Sequence, residues 1–539
     1  MRSLTLCCKL PAALLLLGVC LVAETPAQSC PTGTLNGSLT AGDAAQTGRV
    51  NRDLAPSDCG GPKPYPGTAD AVPGRRFDQY TFTNTSASAV CVRVTLDPHS
   101  CAGPNEIFSV AYLGSFNPGD VSQNYLGDSG DSPAAGMPVS YSFNVPAGAT
   151  FVVVVHEINP GAGCAAYTLS VGCGTPGAGV GQVLISEFRL SGPGPLMLGD
   201  PRDEFIDLYN NTDAAILVGR YVIRAHDPVF GDFTFEIPPG TTIPARGHLL
   251  IGDSAGYSLP SYATLDIDTL PFLDADVFID NEGFQLVGPP GNNIVVDSVG
   301  FAGGGNAAQY VEGAGLTRRS FTPPVQYSYV RRLNSGRPQD TNNNAADFFL
   351  NSVTGETFAE AGPTQLGAPG PENSDSPRVR NGAIALVLLN PSVSNTSEPN
   401  WVRNFNPEGP NAPQGTVSLQ RRVVNNTGTT VTRLRFRVVD FTTLNSPGYT
   451  NPAQSDLRVL DSSGVVTRTD GTVAVTTVAT TVEQPPVQPN GGGYNSSIAV
   501  GTVTSSTPIP PGGTIDISFR LGVVRPGGFR FFVNVEAVP

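Results

Sequence analysis

The chain has 539 residues, with 62 Gly, 49 Pro, 14% charged residues and a formal charge of −14 at pH 7. That length accommodates about three to four domains of ~150 residues, and the Gly and Pro load with sparse charge excludes a coiled coil or a largely helical protein. Phosphate backbones need basic surfaces, so the acidic balance argues against nucleic acid as a partner.

In chain order, residues 1–27 read as a signal peptide. Arg2 and Lys9 supply the positive end, Leu10 to Ala23 the apolar stretch, and Thr25-Pro26-Ala27 a small-residue cleavage site. Cys20 and Cys30 raise the question of lipidation, but both sit in poor lipobox contexts. After residue 27 no apolar run approaches the ~20 residues that span a bilayer. The sequence therefore predicts an exported protein, secreted or at the cell surface, with no transmembrane segment. Loss of Arg2, Lys9 and Glu24 leaves a charge of −15, and Lys63 is then the single lysine.

Residues 28–176 form the first predicted domain. Cys30, Cys59, Cys91, Cys101, Cys164 and Cys173 all fall within it, an even number in an exported segment, which predicts three disulfides with fifteen open connectivities. No Cys-x-x-Cys pair supports a metal site. Phe77 to Thr83, Val90 to Leu96, Val139 to Val145 and Phe151 to His156 alternate with turn residues, the pattern of a β-sandwich. The last two strands, joined by Pro146-Ala147-Gly148, resemble the closing strands of the bacterial pre-peptidase C-terminal-like sandwich, which implies no catalytic residues. His156-Glu157 evokes the zinc-protease motif His-Glu-x-x-His, but the second histidine position is Pro160 and the preceding valines are a strand. Ser129, in Gly127-Asp128-Ser129-Gly130-Asp131, superficially matches a trypsin-like serine loop. Its only upstream histidine, His99, is too close in sequence for that fold.

Residues 178–353 form the second. In Asp203 to Asn210, Ile206 and Leu208 face one way and Phe205, Asp207 and Tyr209 the other, predicting a strand with one face on a core. Gly283 to Val287 and Ile294 to Val299, flanking Gly288-Pro289-Pro290-Gly291-Asn292-Asn293, predict a hairpin. Val183 to Phe188, Asp203 to Asn210, Ile237 to Pro244, His248 to Ile251 and Asp297 to Phe301 together resemble a lamin-tail domain of the bacterial secreted kind. That resemblance implies an immunoglobulin-like sandwich and an interaction role rather than chemistry. Gly252-Asp253-Ser254-Ala255-Gly256 matches a nucleophile elbow, yet neither the helix nor the later histidine such an elbow needs is present.

No cofactor is expected, and the two segments here that come nearest to a calcium site are weighed against plainer readings. Asp340-x-Asn342-x-Asn344 opens like an EF-hand loop, but Ala345 replaces its glycine and Asn351 its closing acid, so a capped Asx turn is the expectation. Asp274, Asp276, Asp280 and Glu282 form an acidic cluster that reads equally as a solvated rim. Residues 178 to 310 carry five Arg against seventeen acids.

Residues 354–377, with Pro363, Pro369, Pro371 and Pro377, read as a linker that leaves its neighbours free to reorient. Residues 378–539 form the last predicted sandwich, with thirteen Arg against nine acids from residue 376 onward. Arg433, Arg435 and Arg437 share one face of a strand, expected to be solvated, with binding of an anionic polymer as the alternative. Asn425-Asn426-Thr427-Gly428 repeats the turn chemistry of Asn84-Thr85-Ser86 and Asn210-Asn211-Thr212.

The combined expectation is an all-β protein of three tandem immunoglobulin-like sandwiches joined by Pro/Gly-rich linkers. It is expected to be non-catalytic, with no catalytic or metal-ligating residues assigned, and to bind an extracellular protein or polysaccharide. A calcium-dependent or carbohydrate-binding module, drawing on Trp401 and Tyr310 as exposed aromatics, is the alternative. An exported hydrolase is the third reading.

Overall fold

In the computed structural model the described residues are 30–538 apart from 176, 194–202, 228–230, 269–282, 290–293, 304–306, 319–324, 335, 359–360, 379–382 and 447–452. The strand, turn and bridge pattern confirms the all-β expectation, and among the described residues the two α-helices, Ala307–Tyr310 and Asn344–Asp347, are single turns.

At the front, a four-stranded sheet (Gly33–Leu39, Cys164–Cys173, Val90–Asp97, Val139–Val145) faces a five-stranded one built on Thr68–Thr83, Thr150–Glu157 and Ile107–Leu113. Val90, Val92, Val94 and Leu96 meet Phe151, Val153 and Val155 between them. The alternate residues Val152 and Val154 bury against Phe108, Val110 and Tyr112 on the outer face, which explains why the valine run is apolar throughout. The six cysteines pair as Cys30–Cys173, Cys59–Cys91 and Cys101–Cys164. The first of these closes 143 residues. Replacing both of its cysteines by serine is expected to lower unfolding stability by about 2–4 kcal/mol in urea, because the longest loop restrains the unfolded chain most. An unchanged midpoint would contradict this.

In the middle, a seven-stranded sheet contains His248–Gly252, Phe205–Asn210, Val183–Arg189, Tyr327–Arg331 and Phe348–Ser352 in that spatial order. It packs on a four-stranded sheet in which Gly283–Val287 and Val295–Gly300 form the expected hairpin. Phe188 sits at the centre, stacked on Tyr329 at 5.0 Å and edge-on to Phe284 at 5.2 Å. The C-terminal sheets are built on Thr416–Asn425 with Thr514–Arg525, and on Arg433–Phe441 with Phe531–Val538, around Phe436 and Phe519.

One turn recurs in all three regions. Asn84, Asn210 and Asn425 are fully buried at strand ends. Each Nδ2 donates to the carbonyl four residues on and to two successive carbonyls of another segment: Val145 and Pro146, Ile243 and Pro244, Ile509 and Pro510. Each Oδ1 accepts the backbone N–H two residues on, from Ser86, Thr212 and Thr427. The short amide thus closes a local Asx turn and staples it to a distant X-Pro step.

The segment 354–377 is not a free spacer. Gln365–Leu366 adds to the seven-stranded sheet beside Asn351 and Ser352, and Gly367 bridges Tyr494 of the C-terminal region. Leu366, Ala368, Glu372 and Asn373 are buried. A Cβ at Gly370 would collide with the Arg437 guanidinium, so the Gly-rich composition serves close approach rather than flexibility.

Candidate functional site: a buried charge network and its cavities

The second face of the strand Phe205–Asn210 is covered, contrary to the one-sided expectation. Asp207 emerges from it beneath the 367–373 strap, beside His248 of the neighbouring strand. His248 Nδ1 lies 2.8 Å from Asp207 Oδ1, and its Nε2 lies 3.1 Å from Glu372 Oε2. Glu372 Oε1 accepts from Arg435 Nη2 at 2.7 Å. Glu536 receives Arg435 Nε on one oxygen and Arg437 Nε on the other. Arg437 Nη1 continues to Gly370 O at 2.9 Å and Asn495 Oδ1 at 2.7 Å. Asn495 Nδ2 and the Gly370 N–H then hold the two oxygens of Glu187, at 3.0 and 2.9 Å.

This corrects the arginine stripe. Arg435 and Arg437 are neither solvated nor available to a polymer, because carboxylates from the strap and the last strand converge on them. Arg433 is the exposed member, paired with Glu483 at 3.3 Å. Burial opposes the charge of both inner guanidiniums, but the surrounding carboxylates outweigh it and their pKa values rise.

The carboxylates of Glu187, Asp207, Glu372 and Glu536 share the network with the two guanidiniums and His248, and burial works against the charge of Asp207 and Glu187. Burial pushes Asp207 up and lifts Glu187 from 4.5 to about 7. A raised acid in the folded state favours folding fully below its unfolded value and loses that contribution as pH rises through its folded value. The stability of the wild type relative to Glu187→Gln is therefore expected to fall between pH 4.5 and 7. Paired urea titrations across that range check it, and a constant difference would contradict it. His156 works in the opposite sense. Burial lowers it from 6.5 to about 4, so its contribution is full above 6.5 and fades as pH falls toward 4.

A cavity of about 300 Å³ opens beside the network, lined by Ser186, Glu187, Arg332, Phe349, Asp440 and Tyr494 among others. A second of about 250 Å³ lies across the Arg332 and Phe349 side chains.

The residues that carried chemical motifs are placed elsewhere. Ser254 Oγ donates to Asp268, and Ser129 Oγ donates to the Asp131 carbonyl at 2.9 Å. Glu157 accepts the backbone N–H groups of Arg76, Gly161 and Gly163, acting as a loop anchor, while His156 Nδ1 lies 2.9 Å from the Glu157 carbonyl oxygen. His99 meets Thr168 and His226 meets Asp232.

Asp340 closes an Asx turn onto the Asn342 N–H, and Asn343 caps the helix Asn344–Asp347, as expected of a capped turn. Asn344 Oδ1 accepts the N–H groups of Gly300 and Glu312, so its oxygen is committed away from any ion. Asp297, Glu312 and Asp340 do converge, but Arg331 already enters the group, 2.6 Å from Asp297 and 3.7 Å from Asp340. Burial raises Asp297 to about 6 and Glu312 to about 7. Asp274, Asp276, Asp280 and Glu282 lie outside the described residues. Tyr310 is buried rather than exposed, and Trp401 is half-buried against the C-terminal core.

No family model matches the chain. No curated protein matches it either. Among the described residues no helix is long and apolar enough to cross a membrane, and the three disulfides fit an oxidising compartment.

Proposed function

We propose that the chain is an exported, non-catalytic interaction protein of three immunoglobulin-like sandwiches, the front one pre-peptidase-like and the middle one of lamin-tail type. It acts outside the cell or at its surface by holding binding surfaces in a fixed relative arrangement. The observation that carries this reading is the buried network from Asp207 to Glu187. Its charged side chains are consumed in joining the middle and C-terminal regions through the 367–373 strap. A buried, hydrogen-bonded ionic interface favours one geometry and leaves little for chemistry. The shared Asn turn supports three related sandwiches over one large sheet assembly.

The test is binding of the disulfide-bonded chain to an array of extracellular proteins and polysaccharides, with calcium and with chelator. Alongside it, turnover is assayed on ester, peptide and phosphodiester panels. Saturable binding to one class without turnover is expected. Turnover that disappears in Ser254→Ala would overturn the reading in favour of a hydrolase, and binding abolished by chelator would replace it with a calcium-dependent module.

A further inference from the structure

His248 stands between two carboxylates. Its Nδ1 lies 2.8 Å from Asp207 Oδ1 on the neighbouring strand, and its Nε2 lies 3.1 Å from Glu372 Oε2 on the 367–373 strap. Each contact is a hydrogen bond only if it holds a proton, on the ring or on the carboxyl. A neutral imidazole carries one N–H and ionised carboxylates only accept, so the trio needs two protons to close both contacts. With one proton fewer, a ring lone pair opposes a carboxylate oxygen. All three side chains are buried, so the repulsion is poorly screened by water.

The three groups are not held equally firmly. Asp207 and His248 belong to strands paired along their length. Glu372 belongs to the strap, whose Gly370 and Glu372 N–H groups donate to the carboxylates of Glu187 and Asp207. The strap is therefore the part that yields. Arg435 and Arg437 approach Glu372 at Oε1, 2.7 and 3.5 Å away, with Glu536 behind them. They favour an ionised Glu372 but supply no hydrogen between Oε2 and the ring. Glu187 shares the 300 Å³ cavity with the trio, and the Tyr209 ring lies 5.0 Å from the imidazole. Asp266 accepts the Ser374 N–H just beyond the strap. On the Gly247 side, Arg246 pairs with Asp213 and Arg378 is exposed.

We propose that Asp207, His248 and Glu372 form a proton-dependent latch. With two shared protons it holds the strap, and through it the C-terminal region, against the middle sheet; loss of one proton as pH rises releases the strap. The direction follows from the count, because the closed state binds the proton and the open state does not require it. Burial, which raises Asp207 and Glu187, acts in the same sense. The inference rests on the interaction reading above and adds its regulation: the binding surfaces are fixed relative to one another at lower pH and free to reorient at higher pH.

The test is amide hydrogen exchange of the disulfide-bonded chain at pH 6, 7.5 and 9, read by mass spectrometry and normalised to the intrinsic rate at each pH. Peptides covering 367–373 are expected to lose protection by at least about tenfold from pH 6 to 9, since one linked proton shifts an opening equilibrium by up to about tenfold per pH unit. The front strand Val90–Asp97 should keep its protection. In Asp207→Asn the new amide donates to His248 Nδ1, the ring Nε2–H donates to Glu372, and the amide oxygen accepts the Glu372 N–H, so both contacts close with a neutral ring. That variant is expected to stay protected up to pH 9, a gain that simple destabilisation does not produce. Glu187→Gln should retain the fall. Constant wild-type protection would overturn the latch, as would a wild-type pH response in Asp207→Asn, an Asp207→Asn strap already open at pH 6, or loss of the response in Glu187→Gln. A titrating strap in a chain that binds nothing on the array, or that turns over a panel substrate, upholds the latch and overturns the functional reading alone. Constant protection beside saturable binding overturns the latch alone.

Discussion

Glu372→Ala is expected to lower unfolding stability by ~3–5 kcal/mol, the scale for removing one partner of a buried ion pair. The Glu372 carboxylate meets His248, Arg435 and Arg437, while its backbone N–H donates to Asp207, so alanine keeps the backbone bond and leaves Arg435 and Arg437 with Glu536 as their carboxylate. The cost comes from the guanidinium charge stranded in a dry interface rather than from a lost surface attraction, and it should change little with salt. Trp401, the only tryptophan, packs half-buried on the C-terminal core and reports its unfolding by fluorescence during a urea titration. A midpoint shift equivalent to less than ~1 kcal/mol would place Glu372 among weak surface pairs and remove the rigid joint on which the functional reading depends. Combining Glu372→Ala with Arg435→Met removes the stranded charge and is expected to recover part of the loss, as neutral replacements of buried ion pairs do.

Asn425→Ala is expected to cost roughly 2–4 kcal/mol, because the buried amide loses the hydrogen bonds it donates to the Thr429, Ile509 and Pro510 carbonyls and the one it accepts from the Thr427 N–H, each worth ~0.5–1.5 kcal/mol, while the three carbonyls keep the Thr427 hydroxyl and the Val431 and Gly513 N–H groups as second donors. Asn425→Asp keeps the acceptor for the Thr427 N–H but offers no donor, and places a charge against the same carbonyls, so it is expected to be at least as damaging. Asn84→Ala and Asn210→Ala should fall within about 1 kcal/mol of Asn425→Ala, since all three reproduce one bonding pattern. Urea titration of the three variants provides the comparison. A loss confined to one of them would mean that the turns are alike in geometry but not in energetics.

Much of the strand pattern is legible in the residues themselves. Phe77 to Thr83 and Phe151 to His156 alternate as strands do, and they pair with each other in register, Phe82 opposite Phe151 and Phe77 opposite His156. The turn at Asn84 is legible for the same local reason, a short amide followed by hydroxyl residues. Legibility ends where a strand's second face meets another part of the chain. Asp207 and Arg435 alternate with core residues as solvent-facing residues do, and alternation says that two environments exist without saying that one is water. The Gly and Pro content of 354–377 likewise indicates absence of a long regular element, which fits a flexible spacer and a buried strap equally well.

The sequence by itself determined the all-β class, the positions of most long strands and turns, and the gathering of the six cysteines from Cys30 to Cys173 at the front. These follow from interactions between near neighbours, namely period-two alternation and turn chemistry. Tertiary structure alone decided which cysteines pair, which arginines are buried, and that the middle and C-terminal regions share an ionic core. Those outcomes rest on contacts such as Glu187 with Asn495, 308 residues apart, or Cys30 with Cys173. A carboxylate or guanidinium is stable inside only when its counterpart arrives at the right distance, and that condition is met by the fold, not by the local sequence.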